Sequence, residues 1–118
     1  MKFLAANFRT RRGEIDLIFR ARKEVGWGNV FTGNESDCLV FVEVKTRSSE
    51  DWTRPARAVD ARKRRLLSLA AMDYLTLLRR PAVRIRFDIV EVLLKDGTVQ
   101  EVRHLPKAFN LSAPLRYG

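Results

Sequence analysis

The chain has 118 residues, a common size for one globular domain, of which 46% are hydrophobic and 31% charged. That is enough apolar material for a buried core and too much for a disordered tail. Lys and Arg number 23 against 14 acidic residues, a net charge of +9 that draws polyanions, and the longest apolar run, Cys38 to Val42, falls far short of the ~18 residues a membrane span requires.

From Met1 to Arg9 the chain reaches charged residues before a secretory apolar region of about 7 to 15 residues forms. A cytoplasmic protein with a single domain over 1–118 and no membrane association is expected. The stretch Phe3 to Phe19 reads as one strand, or two with a bend at Gly13, with Ile15, Leu17 and Phe19 on one face and Glu14, Asp16 and Ile18 on the other. Arg22 to Asp37 carries Gly26, Gly28, Asn29, Gly33, Asn34 and Ser36, the composition of a long surface loop. A strand follows from Leu39 to about Thr46, with one face wholly apolar (Val40, Val42, Val44) and the other running Leu39, Phe41, Glu43, Lys45. After a polar break, Pro55 opens a helical segment to Arg80, and Pro81 stops it. Val83 to Leu94 reads as a strand, and Lys95-Asp96-Gly97-Thr98 as a tight turn into a last short strand. The class is α/β, a mixed central β-sheet with a packed helix.

Cys38 and His104 are each alone of their kind, which removes disulfides, cysteine zinc sites and imidazole clusters. A metal must then bind through oxygen, which points to Mg2+ or Mn2+. Period-two geometry puts Glu14 with Asp16, and Glu43 with Lys45, on single strand faces. If those faces coincide, three carboxylates and an ammonium meet, and crowded carboxylates repel unless a cation intervenes. Lys45 beside such a cation suits phosphodiester hydrolysis by water. The competing explanation is a set of cross-strand ion pairs on a solvated face. Against it, the strand of Glu43 is apolar on the opposite face and begins with Leu39 and Phe41 on its own, so a buried strand keeps a Glu and a Lys that packing does not require.

The segments Arg9–Ile18 with Gly-Glu-Ile-Asp, Leu39–Arg47 with Val-Glu-Val-Lys, Ala58–Arg65 and Arg86–Val92 closely resemble the bacterial YraN-like proteins, the uncharacterised protein family 0102. That family is similar to archaeal Holliday junction resolvases and implies a restriction-endonuclease-like fold. The resemblance covers nearly the whole chain in order. It implies that Asp16 matches the metal-binding aspartate of the nuclease signature, Glu43 its second acidic ligand, and Lys45 its catalytic lysine. Members usually begin with a helix bearing a further glutamate. Here that helix is expected to be missing, with Glu14 as the substitute ligand.

Arg62, Arg64 and Arg65 suit either phosphate binding or the solvated face of a helix. Lys63 lies four residues from Val59 and from Leu67, on the apolar stripe, and should reach the edge of the site. Arg47 is a further phosphate-holding candidate. Asp88, between Arg86 and Val90, reads as an ion-pair partner, and His104, with no visible companion, as a structural or surface histidine. The expected function is a metal-dependent nuclease acting on nucleic acid, DNA ahead of RNA and branched DNA included, as a homodimer on a branched substrate. The alternatives are a catalytically silent DNA- or RNA-binding module and a structural partner of an acidic protein.

Overall fold

The computed structural model describes residues 1–22, 37–49, 52, 59–79 and 83–111. Its elements run β1 (Lys2–Arg9), β2 (Glu14–Arg22), β3 (Asp37–Arg47), α1 (Ala61–Leu77), β4 (Arg84–Lys95) and β5 (Thr98–Phe109). The strands form one sheet in the order β1-β2-β3-β4-β5. Only β3 and β4 pair in parallel, and the other neighbours are antiparallel. Parallel neighbours need a long crossover, and α1 lies in that connection. The mixed five-stranded sheet with one helix is the expected α/β class, and it is consistent with a restriction-endonuclease-like arrangement.

The core lies between α1 and one sheet face. Leu67, Ala70, Ala71 and Leu75 follow the helical period and cluster with Ile15, Ile18, Leu39, Phe41, Phe87 and Ile89. Small residues let the helix approach closely. At Gly13 an added Cβ would stand 2.6 Å from the Leu66 carbonyl oxygen, so only glycine fits that turn. The bend expected at Gly13 is a full chain reversal, in which Thr10 N–H donates to the Gly13 carbonyl at 2.8 Å and β1 pairs back on β2. Asp96 (φ 51°) and Gly97 (φ 75°) both adopt the left-handed conformation, the pattern of a two-residue hairpin turn whose twist matches its strands.

Several boundaries differ from expectation. The helix starts at Ala61, because Asp60 is extended (ψ 164°) and its carboxylate caps the first turn by accepting from Lys63 N–H at 2.8 Å. It ends at Leu77, before Arg80. Pro55, Pro81 and nearly all of the glycine-rich loop lie outside the described residues. The last strand is long, at 12 residues, because hairpin pairing with β4 continues to Phe109. Strict alternation fails in β2, where Ile15 and Ile18 are both fully buried three residues apart. The break falls at Asp16: the β1 partners run through Ile15 and Leu17, and the β3 partners begin at Leu17. Expectation holds in β3, where Leu39 to Val42 are all buried.

Candidate functional site

The break in β2 gives Asp16 a structural task. Its Oδ2 accepts from Val44 N–H at 2.7 Å, so the side chain extends the β2–β3 connection past the point where backbone pairing begins. That bond sets the carboxylate beside the residue that follows Glu43. Glu43 and Lys45 continue the face of Phe41, the face on which α1 packs. The Glu43 side chain is 12% exposed, and its Oε1 lies 3.3 Å from Lys63 Nζ. Burial, and after it the neighbouring Asp16 charge, raises the Glu43 carboxyl above its ordinary value, while Lys63 and Lys45 pull it down. Asp16, Lys45 and Lys63 therefore all act on the Glu43 carboxyl.

A carboxylate destabilised by burial and by a like charge gains from a cation. Magnesium keeps several waters and takes one or two carboxylates together with substrate phosphates, so Asp16 and Glu43 are the residues that would hold it. Glu14 stands differently. It forms an ion pair with Arg9 at 3.3 Å, its side chain is 44% exposed, and the described residues hold no group of three acidic, His or Cys side chains arranged for a metal.

Among the basic candidates, Lys63 turns to the site as its spacing indicates, and Arg62, Arg64 and Arg65 face solvent. Arg47 lies with its Nη1 3.6 Å from Oε2 of Glu91, a residue that sequence reasoning missed. Its signal was available, because Glu91 sits two residues past Ile89 on the face of Phe87, as Glu43 sits two past Phe41. In the sheet register Lys45 stands opposite Glu91, and Glu91 opposite Arg103.

The family model for uncharacterised protein family UPF0102 matches residues 1–92. The chain belongs to this family. UPF0102 proteins of Trichlorobacter lovleyi (35% identical, covering 94% of this chain and 77% of the relative), Rhodococcus opacus (36%, 92% and 80%) and Syntrophomonas wolfei (38%, 92% and 81%) are similar to it along most of its length. The UPF0102 match takes in Asp16, Glu43, Lys45, Lys63 and Glu91 and stops before Arg103 and His104.

This UPF0102 chain also carries a buried acid on the other sheet face. Asp88 is fully buried and accepts from Arg86 Nε and Nη2 at 2.8 and 2.9 Å and from Lys107 N–H at 3.0 Å. It is the ion-pair partner its position suggested. His104, expected to lack a companion, has one: its Nε2 lies 2.7 Å from Asp88 Oδ2. The pair was hidden because it joins two strands 16 residues apart in sequence. Asp88 neighbours Val42 in the register, whereas Glu43 neighbours Ile89, so the two acids point to opposite faces.

Proposed function

We propose that this UPF0102 protein is a nuclease that hydrolyses phosphodiester bonds of DNA with Mg2+ or Mn2+, branched DNA being a substrate. The observation that carries the reading is the nearly buried Glu43 carboxyl, paired with Lys63 at 3.3 Å and set within the charge fields of Asp16 and Lys45. A sheet face held for packing alone has no use for two carboxyls and two lysines gathered near one another. Asp16 and Glu43 would hold the cation, which supplies positive charge to the phosphate oxygens and acidifies water. Lys45 stabilises charge growing on the phosphate or orients the attacking water, and Lys63 balances Glu43 from the helix. Water is the nucleophile. On a branched substrate two copies related by a two-fold axis place two sites on opposing strands.

A second reading, a catalytically silent DNA- or RNA-binding module, is favoured by one feature: Lys63 already neutralises Glu43. Cleavage of linear, flapped and four-way DNA in Mg2+ or Mn2+ separates the two. Metal-dependent cutting is expected, and Lys45→Ala should slow it by about 100-fold or more while leaving DNA affinity nearly intact. Binding without cleavage of any substrate would leave the silent module.

A further inference from the structure

The helix-side face does not end at Lys45. Lys45, Glu91 and Arg103 stand side by side across β3, β4 and β5. Glu91 is fully buried; its Oε1 accepts from Arg103 Nη1 at 3.4 Å, and its Oε2 lies 3.6 Å from Arg47 Nη1, making no hydrogen bond among the described residues. Arg103 is fixed from two further directions. Its Nη2 donates to the Trp52 carbonyl at 2.8 Å, and its guanidinium carbon sits 3.9 Å from the centre of the Trp52 ring. Trp52 is itself held, with Nε1 donating to Glu101 Oε2 at 2.8 Å.

One buried carboxylate requires one guanidinium, and here two converge on it with a lysine alongside. Both arginines remain partly open to solvent, with 24% of the Arg47 side chain and 23% of the Arg103 side chain exposed. Among the described residues, Arg47 and Arg103 flank Glu91 at one end of this face, and Asp16 and Glu43 stand with Lys63 at the other. The face thus has an acidic end suited to a cation and a guanidinium end suited to phosphate oxygens, with Lys45 between them. Arginine pre-ordered by a carboxylate and an aromatic ring loses little freedom on gripping a planar pair of phosphate oxygens.

We infer that Arg47 and Arg103, braced by Glu91 and Trp52, form a subsite for a backbone phosphate of the nucleic-acid strand beside the scissile bond. The inference rests on the nuclease reading for the identity of the strand, and its test makes no use of cleavage. Trp27→Phe leaves Trp52 as the sole tryptophan. In chelator, a short DNA oligonucleotide titrated into that protein should change Trp52 emission to saturation. Arg103→Gln should weaken binding several-fold and lower the salt slope of binding by about 0.9, the value of one phosphate contact. Glu91→Gln with Arg103→Gln removes the buried charge together with its partner, and should lose the same slope in a protein that melts normally. Unchanged emission at saturating DNA, or an unchanged salt slope in the double variant, would overturn the subsite. An emission response without cleavage in Mg2+ would keep the subsite and remove the nuclease reading.

Discussion

Asp16 and Glu43 meet at one spot but depend on different supports. Asp16 is anchored through its Oδ2 to the Val44 amide, a bond an asparagine oxygen can also accept. Asp16→Asn is therefore a chemical change more than a folding one. Glu43 relies on the Lys63 ammonium against burial and against Asp16. Lys63→Met should lower stability in chelator by about 1 kcal/mol, the upper range for a partly exposed pair. Adding Glu43→Gln should return most of that loss, because the carboxylate left unpaired is then gone. Denaturant melts of the two single variants and the double give the coupling; additive losses would mean that Lys63 does not serve Glu43. At this scale sequence was most informative where a charge interrupts an apolar period. Glu43, Lys45 and Lys63 stand out that way, and Glu91 obeys the same rule. Arg103 does not, since β5 is largely exposed and an arginine on an exposed strand carries no mark.

The β1–β2 turn and α1 are joined by a backbone approach and a charge pair, and both are testable. Gly13→Ala brings a Cβ against the Leu66 carbonyl and should cost about 1–3 kcal/mol in urea denaturation, as overpacking does. Arg12 grips Asp73 of α1 through its Nε and Nη2. That hydrogen bond, foremost, holds the Asp73 carboxyl below its ordinary value. A lowered carboxyl gives stability that is present above its unfolded value near 3.8 and disappears as pH falls through the folded value. Asp73→Asn should thus be destabilising by about 0.5–1 kcal/mol at pH 7, with the difference narrowing below about pH 4. A constant difference across pH would assign the loss to something other than charge. Strand and helix identity was legible from period, since β3, α1 and β4 carry continuous apolar patterns. The helix start was not, because an extended Asp60 cap competes locally with the proline signal upstream. Nor was the loss of alternation between Ile15 and Ile18, which the local pattern does not show.

For the whole molecule, a net charge of +9 makes ionic strength the governing variable of any nucleic-acid complex. The logarithm of DNA affinity should fall linearly with that of salt concentration, and Arg62, Arg64 and Arg65 replaced together by Ala should reduce the slope by up to about 2.7, or 0.9 for each phosphate no longer neutralised. An unaltered slope would assign those three exposed arginines to solvation alone. Sequence pattern places the acidic end of the site on adjoining strands, but the guanidinium end depends on a register linking β3, β4 and β5, which tertiary pairing alone supplies. Asp16 and Glu43 are proposed to hold a divalent cation together. The most direct measurement is the melting temperature of the parent, Asp16→Asn and Glu43→Gln proteins in chelator and in Mn2+. In chelator Glu43→Gln should melt at or above the parent, since neutralising a carboxyl of raised proton affinity relieves the folded state. In Mn2+ the order should reverse: the parent gains several degrees at saturating metal and the two variants gain little. No gain in the parent, or an equal gain in all three proteins, would contradict the account.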